Sequence, residues 1–157
     1  MKTRNVTFVR RLTCDVIVPD INLLVYAYND GADLHATARE WWEGLMRDDE
    51  PVGIPWAVAT GFIRIMSNSR IVTSPLSPSD AAGHVRGWLG YPHVAMLNPG
   101  DSHLDYLHQN LSVPGTGPGL VPDAHIAALA MEADATLHTH DSDFARFSGL
   151  RWHDPIP

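Results

Sequence analysis

The order of elements in this sequence predicts an α/β protein: a three-layer α/β/α sandwich around a parallel sheet of four to five strands. Short apolar, β-prone runs alternate with helical segments along the chain, and such alternation produces parallel sheets with right-handed crossovers. The first run, DVIVP at 15–19, shows no polar alternation. That pattern predicts a strand buried on both faces, as in a parallel sheet covered by helices.

Each further element has its own local signal. Pro122 suits a first helical turn, and Asp33, Asp101 and Ser79 stand where helices are expected to begin. The predicted strands are 15–19, 52–56, 93–98, 134–139 and 149–153. The predicted helices run from Ile21 to near Gly31, over 33–47, 57–66 and 79–89, from Asp101 to about Leu111, and over 124–133, with a short turn-helix around Phe144.

Composition indicates one domain in an ordinary soluble globule. The chain has 157 residues, with 45% hydrophobic and 18% charged residues. It has no apolar run near the ~20 residues of a membrane span. The single cysteine, Cys14, excludes an internal disulfide and suits a reducing cytoplasm; we expect it to begin a buried strand. We expect residues 1–13 to be an N-terminal extension, its order left open, and residues 14–157 to be the domain.

Four aspartates stand where strands give way to helices or turns: Asp20, Asp123, and the pair Asp141 and Asp143. The carboxyl ends of parallel strands meet at one rim of the sheet, so these side chains are expected to converge. Clustered carboxylates repel one another unless a cation lies between them, and Mg²⁺ prefers oxygen ligands. The sequence therefore predicts an acidic metal site at this rim.

Three segments resemble a known family. They are VPDINLLVYAY near the start, PWAVATGFIRIMSNSRI in the middle, and GLVPDAHIAALAMEADATLHTHDSDFARFSGL near the end. From about Val16 to Pro155 the chain resembles the PIN-domain ribonucleases, and most closely the VapC toxins of bacterial toxin–antitoxin pairs. The resemblance implies a PIN-like fold and a Mg²⁺- or Mn²⁺-dependent ribonuclease in the cytoplasm. It also implies a homodimer and a VapB-type antitoxin partner, whose arginine would pair with the carboxylates.

The resemblance also assigns roles to residues. It implies that Asp20, Asp123 and Asp141 are the catalytic metal ligands and that Asp143 is at most an outer ligand. The family usually has a further glutamate on the helix after the second strand, where this chain has Gly61. Glu40 and Glu43 on the preceding helix are the nearest substitutes, and Glu43 is the candidate ligand.

Other residues of this region have competing interpretations. Arg64 and Thr139 are candidate substrate contacts, although an arginine on a helix is as often in a surface ion pair. His138 and His140, with His125, raise the alternative of direct metal ligation, but no further His or Cys spacing completes a zinc pattern. The loop VPGTGPG at 113–119 either flanks the site opening or is a plain connection. The tryptophans are expected in the core or a dimer interface.

A net charge of −7 is unusual for a protein that binds RNA, since such proteins generally present a basic face. Two alternatives therefore stay open. One is a degenerate PIN fold that only binds RNA or an antitoxin, which the acid-to-glycine change at Gly61 favours. The other is a metal-dependent phosphatase, since Asp141 and Asp143 form a DxD pair; in that class, however, the pair follows the first strand.

Overall fold

The computed structural model describes residues 15–157, and these form one five-stranded parallel sheet. The strands are β1 (Ile17–Pro19), β2 (Val52–Pro55), β3 (Val94–Leu97), β4 (Thr136–His138) and β5 (Arg151–His153). Their order across the sheet is β3-β2-β1-β4-β5. The chain first builds outward from β1 through β2 to β3 and then crosses back to β4. The order of strands therefore reverses beside β1, and ligands of open α/β sheets bind at such a reversal.

Six helices cover the sheet. They are α1 (Ile21–Tyr28), α2 (His35–Arg47), α3 (Trp56–Met66), α4 (Pro78–Trp88), α5 (His103–Leu111) and α6 (Val121–Glu132). Right-handed crossovers place α1 to α4 on one face, and α5 and α6, which connect β3 to β4, on the other. Short 3₁₀ segments lie at Pro118–Leu120 and Ser142–Arg146. The predicted three-layer fold is confirmed.

The core is built from both faces of the sheet. Val18, Ile54 and Leu137, one from each of the three central strands, are fully buried. Phe62 of α3 packs edge-on against Tyr28 and beside Trp88. Trp42 and Trp88 are buried, as expected for core tryptophans, whereas Trp56 is 56% exposed.

Two predicted helix caps are wrong. Helix α2 begins at His35, directly after Leu34 and without a side-chain cap, so Asp33 lies outside it. Similarly, α5 follows Ser102 and has no side-chain cap from Asp101. Helix α4 begins one residue before Ser79, at Pro78, because the Ser77 hydroxyl accepts the Asp80 N–H at 3.1 Å.

The prediction of an N-terminal extension at 1–13, and that of a buried Cys14, fall outside the described residues. From Asp15 onward, none of the helices is long and apolar enough to cross a bilayer.

Candidate active site

Asp20 lies at the carboxyl end of β1 and is held from two sides. It is only 4% exposed, although it is a carboxylate. Its Oδ1 accepts the N–H of Ile21 at 2.7 Å, which caps α1, and its Oδ2 accepts the hydroxyl of Thr139 at 2.7 Å. Burial raises the pKa of Asp20 against these two hydrogen bonds, and the charge of Asp141 raises it further. The orientation of Asp20 is thus set by the fold.

Thr139 connects the carboxyl ends of β1 and β4. Pro19 pairs with His138 in the parallel register of β1 and β4, so the residues that follow, Asp20 and Thr139, are neighbours at the rim. Thr139 is fully buried, and its hydroxyl also accepts the N–H of Asp141 at 3.0 Å. One hydroxyl therefore positions two of the predicted catalytic aspartates.

Asp141 and Asp143 belong to one turn. The Oδ1 of Asp141 accepts the N–H of Asp143 at 2.9 Å, so Asp141 caps the 3₁₀ segment at 142–146. Asp141 is half-buried, whereas Asp143 is exposed. This difference in burial agrees with the separate roles predicted for them.

Asp123 is the third residue of α6 and stands opposite the other acids. Burial raises the pKa of Asp123 to about 6, and the charges of Asp20, Asp141 and Asp143 add to the effect, while Arg146 opposes it. The negative charges of the other three aspartates therefore all act on Asp123. The structure brings the predicted cluster together from β1, from the start of α6, and from the turn after β4.

The chemistry of this cluster fits a hard divalent cation. Its donors are all carboxylate oxygens, and burial together with the repulsion from the neighbouring acids raises the pKa of Asp123. Within residues 15–157, no three acidic, histidine or cysteine side chains already surround a single point. Asp20 is locked by its hydrogen bonds, so Asp123, Asp141 and Asp143 are the side chains that would have to turn inward to hold an ion.

Gly61 is explained by close packing. A Cβ at this position would lie 2.6 Å from the Cδ1 of Ile21, the residue directly after Asp20. Helix α3 thus approaches the amino end of α1 at the place where the family has its glutamate. A glutamate here would require the Ile21 side chain to move.

Glu43 does not replace that glutamate in the structure. Its carboxylate accepts the Nε–H of Arg39 at 2.7 Å, and the side chain is 56% exposed. It lines a cleft with Ala27 and Tyr28, at the far end of α1 from Asp20. Eight helical residues span about 12 Å, so the two carboxylates are separated by the length of α1. Glu40 is an exposed helix residue as well.

The predicted substrate contacts differ in outcome. Direct contact does not fit Thr139, because its side chain is fully buried and its hydroxyl is engaged by Asp20 and Asp141. Its role is to position them. Arg64 is exposed on α3 and makes no ion pair within the described part of the chain. It stays a predicted substrate contact.

The histidines are engaged elsewhere. The Nδ1 of His138 lies 3.1 Å from the indole Nε1 of Trp41, which donates to it, and burial lowers the pKa of His138 to about 4. The Nδ1 of His140 lies 2.8 Å from the Oδ2 of Asp154, and the Nδ1 of His125 lies 2.9 Å from the Nε2 of His103. The structure thus separates the three imidazoles and gives no support to their joint ligation of a metal.

Sequence reasoning missed Arg146. It ends the 3₁₀ segment at 142–146, and its charge acts on Asp123. The available signal was its position three residues after Asp143, one turn of a 3₁₀ helix away. The loop at 113–119 was expected either to flank the site opening or to be a plain connection. It lies beside the site, because the carbonyl oxygen of Gly115 accepts a hydrogen bond from the Nη1 of Arg146 at 3.4 Å.

Fold and site together define an α/β protein with an acidic cluster at the reversal of its parallel sheet. The PIN domain family model matches residues 17–150. Ribonuclease VapC33 of Mycobacterium tuberculosis is 40% identical over 141 residues, which cover 90% of this chain and 99% of that protein. VapC ribonuclease Mb2897 of Mycobacterium bovis is 42% identical over 137 residues, which cover 87% of this chain and 93% of that protein. The chain belongs to the PIN-domain family and, within it, to the VapC family.

Solved structures agree on the fold. VapC20 of Mycobacterium tuberculosis, a sarcin-ricin loop cleaving toxin, superposes with a TM-score of 0.63 at 18% identity and covers 86% of this chain and 98% of its own. A chain of VapBC2 from Rickettsia felis, bound to a DNA fragment from its promoter, superposes with a TM-score of 0.63 at 19% identity. The match covers 88% of this chain and 97% of that chain.

We expect Thr139→Val to disturb the site through Asp20. The variant leaves a buried carboxylate oxygen and the N–H of Asp141 without their partner, which should cost about 1–3 kcal/mol in urea unfolding. Because Asp20 is then held only by the N–H of Ile21, Mn²⁺ affinity by calorimetry should fall by roughly tenfold or more. Thr139→Ser keeps the hydroxyl and should restore both values. Thr73→Val, at an exposed threonine, is the control. Equal Mn²⁺ affinity in Thr139→Val and wild type would contradict the positioning role.

A second prediction concerns pH. The pKa of Asp123 rises from an ordinary 3.8 to about 6 in the folded protein. Between these values the folded state binds more protons than the unfolded state, so stability falls as pH rises. In metal-free buffer, Asp123→Asn should therefore melt at a higher temperature than wild type above about pH 6, and the difference should vanish below about pH 4. Asp80→Asn, at an exposed acid on α4, should show no such gain. A pH-independent difference would place Asp123 outside an interacting cluster.

Proposed function

We propose that this protein is the toxin of a type II toxin–antitoxin pair, an endoribonuclease that hydrolyses RNA phosphodiester bonds with Mg²⁺ or Mn²⁺ in the cytoplasm. The observation that supports it most is the convergence of four carboxylates at the reversal of the sheet, with one of them raised in pKa to about 6. The relatives VapC33 of Mycobacterium tuberculosis and Mb2897 of Mycobacterium bovis are both named VapC ribonucleases.

The proposed division of work follows from how each carboxylate is held. Asp20, fixed by the Thr139 hydroxyl and the N–H of Ile21, is the rigid ligand around which the others adjust. Asp123 and Asp141 approach from the adjacent helix and turn, and Asp143 stands outside them. When bound, the cation would lower the pKa of a water molecule and offset charge on the scissile phosphate. Products with a 5′-phosphate and a 3′-hydroxyl would follow from the family chemistry.

The partner we propose is a VapB-type antitoxin, and a cleft between α2 and α4 supports it. The cleft has a volume of about 540 Å³, and its walls include Trp42, Trp88 and Tyr28. Gly83 and Gly87, one helical turn apart on α4, present no side chain to it, and a Cβ on either would meet nothing within 4 Å. A helical segment of a partner could therefore approach this face closely.

We also propose a homodimer, as the family resemblance implies. Apolar side chains remain on the surface, among them Leu104 of α5 at 72% and Trp56 of α3 at 56% exposure. Large exposed apolar side chains supply area for association when they cluster.

The nuclease proposal predicts that Asp20→Asn and Asp123→Asn each lower Mn²⁺-dependent RNA cleavage by at least about a hundredfold, since each removes a carboxylate from the cation site. Both variants should remain folded by circular dichroism, because asparagine is close in shape to the protonated acid. Asp80→Asn is the matched control and should cleave RNA like wild type. Cleavage at the wild-type rate by either site variant would show that the cluster is not the active site.

The same assay separates the alternatives. A degenerate fold would bind RNA or antitoxin and cleave no RNA in Mn²⁺, and the close packing at Gly61 is the feature in its favour. A phosphatase would release phosphate from a small phosphomonoester. The structure places Asp141 and Asp143 after the fourth strand along the chain, which does not match a phosphatase pair after the first strand.

A further inference from the structure

Arg146 makes two hydrogen bonds at the edge of the acidic cluster, and they join two separate segments. Its Nε donates to the carbonyl oxygen of Asp143 at 3.2 Å, and its Nη1 donates to the carbonyl oxygen of Gly115 at 3.4 Å. Gly115 lies in the 113–119 loop, with φ of +84° that strongly favours glycine. The side chain of Arg146 is half-buried.

The two segments that Arg146 joins deliver three of the four aspartates. The 113–119 loop leads through the 3₁₀ segment Pro118–Leu120 directly into α6, whose first turn contains Asp123. The turn at 142–146 begins after Asp141 and contains Asp143. The N–H of Thr116 donates to the carbonyl oxygen of Val113 within the loop. Just after the loop, the N–H of Leu120 donates to the carbonyl oxygen of Gly117. The hydrogen bond from Arg146 to Gly115 adds a link from this loop to the turn on the other side of the site.

Arg146 differs in its setting from Arg39 and Arg151, the arginines that form ion pairs among the described residues. Arg39 is paired with Glu43, and Arg151 is paired with Asp134 and Asp15 at the amino end of β5, whereas the acidic cluster lies at the carboxyl ends of the strands. Arg146 forms no such pair, and its positive charge acts on Asp123. A strongly acidic protein that binds a polyanion needs positive charge beside the reacting groups.

We propose that Arg146 is a substrate-binding residue of this site: its guanidinium clamps the 113–119 loop against the 142–146 turn and receives a phosphate of the RNA backbone next to the carboxylates. The inference rests on the proposed ribonuclease function. A guanidinium has five N–H donors in a rigid fork, and two of them are used within the protein. The remaining donors match the paired oxygens of a phosphate, which a lysine could meet only as a point charge.

The test is RNA binding, measured separately from cleavage. Fluorescence anisotropy with a labelled single-stranded RNA of mixed sequence is recorded over a range of salt concentrations, with Mn²⁺ present and Asp20→Asn as the parent protein. Adding Arg146→Gln should weaken binding by roughly tenfold or more, since a charge-assisted contact is lost. It should also reduce the slope of log K against log salt by about 0.7, the value for one phosphate contact on a single strand. Arg151→Gln removes a distant arginine and should leave the slope unchanged.

Arg146→Lys separates the charge from the clamp. Lysine keeps the positive charge and should restore the salt slope, but it cannot reach both carbonyls with a fixed fork. Hydrogen exchange at the amides of Thr116 and Leu120 should therefore be faster than wild type in both Arg146→Lys and Arg146→Gln. Unchanged exchange in both variants would overturn the clamp.

The outcomes distinguish this proposal from the ribonuclease proposal. If wild type cleaves RNA while Arg146→Gln binds it with the affinity and salt slope of its parent, the role of Arg146 is wrong and the nuclease stands. If wild type neither binds nor cleaves RNA, the proposed function fails and the proposal for Arg146 fails with it.

Discussion

The candidate active site depends on the pairing of β1 with β4. Because Pro19 stands beside His138 in this parallel register, the next residue of each strand, Asp20 and Thr139, meet at the rim. A shift of one residue would turn Thr139 to the other face of the sheet and separate them. The buried hydroxyl then transmits the register onward, since it accepts the N–H of Asp141 and so begins the turn that contains Asp143.

The aspartates of the cluster repel one another, and the charge of Arg146 offsets this repulsion only in part. Asp20 is almost fully buried and has no cationic partner among residues 15–157, and burial together with neighbouring acids raises the pKa of Asp123 to about 6. Carboxylates held in this way destabilise the folded protein and favour a bound cation, because the same oxygens that repel one another become ligands. The hydrogen bonds of Asp20 and the charge of Arg146 reduce this destabilisation of the folded protein without removing it. This is the electrostatic pattern that a functional site often shows.

The sequence was sufficient for the fold and for the acidic cluster, because both depend on local signals. Apolar runs before Asp20 and Asp141 marked strands, and parallel strands necessarily bring their carboxyl ends to one rim. Gly61, Glu43 and Thr139 could not be resolved in this way. The packing of Ile21 against Gly61, the pair of Glu43 with Arg39, and the burial of Thr139 all depend on tertiary neighbours. Arg146 was missed for the same reason, since its partner Gly115 is distant in the chain.

We propose that Asp20, Asp123 and Asp141 together form a cation site, and the direct test is a crystal grown with Mn²⁺. We expect an anomalous peak between these three side chains, with manganese–oxygen distances of about 2.0–2.3 Å and the side chains of Asp123 and Asp141 rotated toward Asp20. We also expect the hydrogen bond between Thr139 and Asp20 to be retained. A peak on His103 and His125 instead, or no peak at the rim at a saturating Mn²⁺ concentration, would contradict the proposal.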